Sequence, residues 1–401
     1  MPHSSESKRR NPTHAGRRFA LAALLAVAGC AGLEDKPPAK PPVGKPALAQ
    51  PSLQGAAWSD LPGWQDDDPS LAWDALLRSC EAIGSRIDWR AVCAAARGQA
   101  SPDREDARKF FETHFRPYRV LDKDGYDAGL VTGYYEPLLR GSLTPDYRYR
   151  YAVYGVPEDL LVIDLADLYP ELAGKRLRGR VEGRRVVPYY DRSEIESGYG
   201  ALAGRELVWV DDPIELFFLQ IQGSGRVVLE GGGVLRLGYA DQNGHPYRSI
   251  GRRLVDQGDL PLERASMEGI KAWARKNPGK LRELLDHNAS YVFFRELPAD
   301  SPGPIGALGV PLTPRRSLAV DRSVVPLGAP VFIATTFPLT DQPLNRLMLA
   351  QDTGGAIRGA VRADFFWGFG EDAAREAGRM KQPLRMWVLL PHDYALPASG
   401  R

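Results

Sequence analysis

The sequence predicts a mainly β protein with helices, an α+β chain built as a helix-decorated β-barrel plus a second β domain, with a groove between them. Three observations point there. Helical periodicity is confined to residues 70–116 and 263–287. From about Tyr118 to Arg252, and again from Tyr291 onward, short apolar runs alternate with turn residues. The roughly 335 residues that follow a Pro-rich stretch exceed one ordinary core, so about two domains are expected. A groove between two β domains suits a linear polymer.

The elements follow in order. Leu71, Trp73, Leu76 and Leu77, then Ile83, Ile87, Trp89 and Val92, recur at helical spacing, and Phe110, Phe111 and Phe115 continue the pattern. Strand-like runs come next: Leu130–Thr132, Leu160–Ile163, Leu207–Val210, Phe217–Ile221, Val227–Leu229 and Val234–Leu237, with Gly231-Gly232-Gly233 as punctuation. Met267, Ile270, Trp273 and Ala274, then Leu281, Leu284 and Leu285, read as a helix broken at Pro278. Leu318–Val320, Pro330–Ile333, Leu347–Leu349 and Arg385–Leu390 read as strands. There is no internal repeat.

The first 29 residues read as an export signal. Lys8, Arg9, Arg10, Arg17 and Arg18 precede an apolar run from Phe19 to Ala28, too short to cross a bilayer, and small residues lead into Cys30. Arg17-Arg18-Phe19 hints at twin-arginine export. The order of basic region, apolar run and Val27-Ala28-Gly29-Cys30 resembles a bacterial lipobox, which implies lipidation of Cys30. Residues 30–62, rich in Pro, Ala and Gly, read as a tether between anchor and globular part. Ala31 stands where an aspartate would favour inner-membrane retention, so an outer-membrane lipoprotein facing the periplasm is expected.

Composition excludes some classes. Five of the 52 Lys and Arg, and one of the 50 Asp and Glu, lie in residues 1–29, so the remainder carries a net charge near −2. That is not the basic balance of a nucleic-acid partner. Six His with none paired at ligand spacing make a zinc site a poor fit. Cys80 and Cys93 are either one disulfide in an oxidising compartment or two buried thiols.

Four segments carry chemistry. Val131-Thr132-Gly133-Tyr134-Tyr135-Glu136-Pro137 runs a strand into two Tyr and a carboxylate, groups that stack on sugar rings and bond hydroxyls, or else pack in a core. In Leu219-Gln220-Ile221-Gln222-Gly223-Ser224-Gly225 the alternation of amide and apolar residues puts Gln220 and Gln222 on one face of a strand, with Gly223 allowing close approach. Gly238–Tyr247 gathers Asp241, Asn243 and His245 at an Asn243-Gly244 hairpin signal. The strongest segment runs from Ala319 to Phe366. Asp321, Asp352 and Asp364 each end an apolar stretch, although Asp is disfavoured within strands. Carboxylates brought together raise one another's pKa, so one can stay protonated and serve as the acid that breaks a glycosidic bond.

Those motifs carry a resemblance. Ala319-Val320-Asp321, Pro326-Leu327-Gly328, Asp352-Thr353-Gly354-Gly355-Ala356-Ile357 and Asp364 resemble the 3D domain, named for three aspartates. Arg322 departs from it, where Pro is common. The Thr132–Pro137, Leu219–Gly225 and Gly238–Arg252 segments resemble the other part of the membrane-bound lytic murein transglycosylase A family. The resemblance implies a double-psi β-barrel from residues 63–136 and 251–401, with a second β domain, 137–250, inserted into it. It also implies an exotransglycosylase that cleaves peptidoglycan glycan strands between N-acetylmuramic acid and N-acetylglucosamine without water, leaving 1,6-anhydro ends. No cofactor or metal is needed for that chemistry, and other cell-wall enzymes are candidate partners. Asp364 maps to the acid/base and Asp352 to its supporting neighbour, with Asp321 on the structural side. Substrate contacts are expected from Thr132, Tyr134, Tyr135, Glu136, Gln220, Gln222, Gly223, Ser224, Asp321, Gly354 and Gly355. The alternatives are a glycoside hydrolase, with Glu136 or Asp352 activating water, and a non-catalytic expansin-like wall-binding module.

Overall fold

The computed structural model describes residues 52–396, apart from 173, 174 and 176. The leader, Cys30 and the tether up to residue 51 lie outside them. Among the described residues no helix is long and apolar enough to cross a membrane.

The chain begins with β1 (Ser52–Gly55), which pairs antiparallel with β2 (Phe115–Leu121). Residues 52–62 are therefore not tether: they add a strand to the sheet, and Leu61 is buried in the main core. Between these strands lie α1 (Trp73–Ile83), α2 (Ile87–Gly98) and α3 (Arg104–His114). Asp103 starts α3 by accepting from the amides of Glu105 and Asp106, at 2.9 Å each. Cys80 and Cys93 form a disulfide that joins α1 to α2, with Cα atoms 5.3 Å apart. After β2 comes β3 (Gly129–Glu136), the strand that leads out of the first part.

A long excursion follows: β4 (Leu138–Ser142), β5 (Tyr151–Tyr154), β6 (Leu161–Ile163), β7 (Leu177–Glu182), β8 (Arg185–Pro188), α4 (Arg192–Glu196), β9 (Glu206–Val210), α5 (Pro213–Gln222), β10 (Ser224–Leu229), β11 (Val234–Gln242), α6 (Ile250–Asp256), α7 (Met267–Lys276), α8 (Leu281–Asp286) and β12 (Val292–Leu297). Six of these strands make one sheet in the order β12-β11-β10-β4-β9-β5, and β6-β7-β8 make a smaller one. The helices α5 to α8 share an apolar cluster of Ile214, Phe217, Ile250, Leu254, Ile270 and Trp273.

Three expectations fail here. Phe217–Ile221 is not a strand but lies in α5. Asp212 accepts from the Ile214 amide at its start, Pro213 opens it, and Gly223 ends it at φ +77°. Gln220 and Gln222 thus stand two residues apart on a helix and do not share a face. Asn243-Gly244 is no two-residue hairpin: β11 pairs with β12, and the connection between them carries three helices. Finally, β12 lies beyond residue 250 yet belongs to the six-stranded sheet, and α6 to α8 pack with α5.

The chain returns through β13 (Ser317–Val320), β14 (Pro330–Ala334), β15 (Arg346–Asp352), β16 (Arg362–Phe369), α9 (Gly370–Arg379) and β17 (Lys381–Pro391). β17 is long enough for three partners. Lys381–Leu384 pair with β3, residues 385–388 with β14, and 387–391 with β2. β17-β14-β15-β13-β16-β3 thereby closes into a ring, with β3–β16 and β13–β15 parallel. Its core holds Val131, Leu318, Val320, Ala363 and Phe365. α9 packs on β3 so closely that a Cβ on Gly133 would sit 2.8 Å from the Ala377 Cα. That explains the glycine in the Thr132–Pro137 segment.

A buried ion pair ties the N-terminal segment to the ring. Arg316 meets Asp67 through two bonds of 3.0 Å, Asp67 also accepts from the Leu347 amide at 2.7 Å, and Arg316 also donates to the Leu347 carbonyl at 2.7 Å. Removing one partner strands a charge in the core, which costs about 3–5 kcal/mol. Asp67→Ala should therefore lower stability by that amount in urea denaturation, and a paired Asp67→Leu/Arg316→Met variant should recover most of the loss.

Candidate active site

Register builds the site. On β16, Asp364 stands beside Ala319 of antiparallel β13 and beside Thr132 of parallel β3. Ala319 in turn stands beside Asp352 of β15, because the register shifts by one residue between Leu318 and Ala319. The shift skips Gln351, which turns inward and bonds Ser317, Ser79 and the Ala75 carbonyl. The outcome is a row across four strands: Asp352, Ala319, Asp364, Thr132. It lies on the ring's outer face, since the neighbours Val131, Leu318, Val320, Ala363 and Phe365 all enter the core. Two strand spacings, about 9.5 Å, separate the backbones carrying the two aspartates, and only an alanine methyl stands between them.

Beside the row lies a small apolar patch of Tyr134, Leu312, Ala319, Ile357 and Phe366, with the Tyr134 and Phe366 rings 5.1 Å apart. This patch and the strands remove water from Asp364. Burial therefore pushes its carboxyl from 3.8 up to about 6, and Asp352 adds to the rise. Two groups oppose it. The Thr132 hydroxyl donates to Oδ1 at 2.6 Å, and the Arg362 guanidinium lies nearby, itself bonded to Thr132 Oγ1 at 2.9 Å. Asp352 accepts from the Ala307 amide at 2.9 Å. Both Asp352 and Asp364 lie close to the Tyr134 hydroxyl, whose own pKa is raised mainly by burial.

Asp321 is built differently. It is buried, but it accepts from the Ser323 amide, the Ser323 hydroxyl and the Gly359 amide at 2.6–3.0 Å. Burial would raise its pKa, yet those bonds hold it below the usual range. Its oxygens are spent on fastening two turns.

The remaining expected residues divide. Glu136 is fully buried at the exit of β3, bonded to Arg226 at 2.8 Å with Arg236 at 3.8 Å, which removes it from the candidates for activating water. Tyr135 packs into the main core, its hydroxyl against Met267 Sδ, and its amide donates to Gln222 Oε1 at 3.1 Å. Gln222 thus joins the second part to β3, while Gln220 is buried beside Tyr291. Gly223 is a helix cap, and Ser224 opens β10, half-buried. Gly354 and Gly355 follow Asp352 at the surface, and a Cβ on Gly354 would meet Ile357 at 2.7 Å. Asp241, Asn243 and His245 are structural: Asp241 pairs with Arg178, Asn243 bonds the Tyr190 and Ala289 carbonyls, and His245 bonds the Tyr189 carbonyl. Sequence reasoning missed Arg362 and Ala319. Two-residue alternation along β16 was the available signal for Arg362, which shares the face of Asp364.

Two hollows elsewhere, of about 440 Å³ near Arg140 and Glu371 and about 320 Å³ near Phe218 and Ile270, do not reach the aspartates.

Residues 130–295 match the family described as MltA specific insert domain, and residues 316–390 match the 3D domain. The membrane-bound lytic murein transglycosylase A of Escherichia coli K12 is 32% identical over 295 residues, covering 71% of this chain and 72% of that protein. The chain belongs to this family. The crystal structure of MltA from Neisseria gonorrhoeae is 40% identical and superposes with a TM-score of 0.75 over 88% of this chain and 97% of that one. E. coli MltA with bound chitohexaose is 28% identical, TM-score 0.60, over 87% and 96%. The protein is thus a lytic transglycosylase homologue with the mixed α+β fold of MltA.

The raised pKa of Asp364 has a consequence for stability. An acid whose folded-state pKa lies above its unfolded value ionises at a cost to the fold. That cost is absent below about pH 4, grows as pH rises, and is complete above about pH 6. Asp364→Asn keeps an acceptor for Thr132 and removes the charge. It should be more stable than the parent at pH 8 by on the order of 1–3 kcal/mol, and the difference should vanish at pH 4 in chemical denaturation.

Proposed function

We propose that the protein cleaves the β-1,4 bond between N-acetylmuramic acid and N-acetylglucosamine in peptidoglycan without water, with Asp364 as the single acid and base. The observation that carries this reading is the half-buried carboxyl of Asp364 on the ring's outer face, held by the Thr132 hydroxyl and pushed by burial up to about 6. Protonated Asp364 gives its proton to the glycosidic oxygen, the C1–O bond breaks, and the N-acetylglucosamine leaves with that proton. The carboxylate then takes the proton from the 6-hydroxyl of the muramyl sugar, and O6 bonds to C1. The ring closes as a 1,6-anhydro end, and Asp364 is protonated again. Asp352, fixed by the Ala307 amide, stands beside the reacting sugar and adds to the raised pKa of Asp364.

Other parts of the reading rest on lighter support. The closed ring with two parallel pairs fits the double-psi barrel, and the second domain runs from about 137 to 297, given the pairing of β12. The oligosaccharide held by the E. coli relative suits a glycan strand as the ligand here. Cys30 carries the lipid, the outer membrane is the location, and cleavage runs from chain ends.

Mass spectrometry of the muropeptides released from purified sacculi tests the chemistry. Anhydro ends are expected, falling about 10²–10⁴-fold in Asp364→Ala. Reducing ends would establish a hydrolase instead. The rate should also fall as pH rises through about 6, because the first step needs the protonated acid. A rate that climbs steadily to pH 8 would contradict the assignment.

A further inference from the structure

Arg362 takes no part in the chemistry written above, yet its guanidinium is anchored to the site strand. Nη2 donates to Thr132 Oγ1 at 2.9 Å, and Nη1 faces the carbonyls of Ala363 and, at 3.5 Å, Leu130. A threonine hydroxyl has one proton. Because its oxygen already accepts from Arg362, that proton is directed to Asp364 Oδ1, 2.6 Å away.

We infer that Arg362 is a positioning residue: it fixes the direction of the Thr132 hydroxyl, keeps Asp364 Oδ1 as an acceptor, and so confines the catalytic proton to Oδ2. The inference rests on Asp364 being the acid. If Oδ1 carried the proton, two hydrogens would meet along one 2.6 Å contact. With Oδ1 occupied, one oxygen faces the glycosidic bond and alternates between giving and taking the proton, while the carboxyl plane stays fixed. The other groups facing Asp364 do not supply this. Tyr134, from β3, and Asp352, from β15, act on Asp364 only through proximity and charge, and β13 contributes only Ala319 beside it.

The arrangement also sets the pH at which the acid is lost. Both the Thr132 bond and the Arg362 charge favour the ionised form. Arg362→Ala should therefore move the alkaline limb of the pH–rate profile upward by about 0.5–1 unit, lower kcat about tenfold, and leave KM unchanged, because Arg362 touches no substrate in the proposed reaction. Thr132→Val should do the same, and Thr132→Ser should move the limb back. The double variant Arg362→Ala/Thr132→Val should be no worse than either single change, since both break one chain of bonds.

The experiment is the pH dependence of anhydro-muropeptide release from sacculi by these variants, with Arg362→Lys included in case the alanine variant folds poorly. A lowered kcat with an unmoved limb, or independent additive losses in the double variant, would overturn the inference. Asp364→Ala in the same series separates the two readings. If it still forms anhydro ends, the acid is elsewhere and the proposed reaction fails. If it does not, and the limb of Arg362→Ala stays put, only the role of Arg362 fails.

Discussion

Parallel pairing of β3 with β16 is the contact on which the rest of the structure depends. It brings together residues 232 positions apart, Thr132 and Asp364 among them. Contacts of such separation carry a large loop-closure cost, which grows slowly with length and is offset by the apolar core that the pairing encloses. The same pairing gives β17 its second edge and so closes the ring. It also fixes where the second part must leave and return. Glu136, at that exit, is buried and held by Arg226 and Arg236 of the six-stranded sheet, and the Arg226 guanidinium lies 3.7 Å from the Phe369 ring of β16. The two parts are thus fastened within a few residues of the row that holds Thr132 and Asp364.

Three aspartates at strand ends do three different things, and environment alone separates them. Asp321 receives three short bonds and remains an anion that holds turns together. Asp352 receives a backbone amide and faces outward. Asp364 receives one hydroxyl, is enclosed by strands and by an apolar patch, and burial pushes its carboxyl up to about 6. The bulge at Gln351 in β15 is what aligns Asp352 with the row that holds Asp364. Without the one-residue shift, Gln351 would stand beside Ala319 and Asp352 would be displaced along its strand.

Much of this was legible in the sequence, for identifiable reasons. Helices α1, α2, α3 and α7 carry clear 3.6-residue periodicity, and the strands of the ring are short apolar runs bounded by Gly, Pro and Asp. The aspartates stood out because three of them recur at the ends of apolar stretches beside glycines, although Asp is disfavoured within strands. Where reading failed, local pattern met a competing signal. Within Phe217–Ile221 the helix buries Phe217, Phe218, Leu219 and Gln220 in succession, and such a short run has no periodicity to tell helix from strand. The Asp212-Pro213 start and the Gly223 stop were present and were outweighed. Tyr135 and Glu136 looked like sugar contacts, but their partners, Met267 and Arg226, come from far along the chain. The bulge that aligns Asp352 depends on the pairing of strands that no local pattern states.

The most direct test of these ideas is titration of the Asp364 carboxyl by carbon-13 NMR, with the signal assigned by its loss in Asp364→Asn. A midpoint near 6 is expected, with Asp321 titrating below the ordinary range in the same sample. A midpoint for Asp364 near 3.8 would contradict the claim that burial beside β3 and β13 makes this carboxyl the protonated acid of the site.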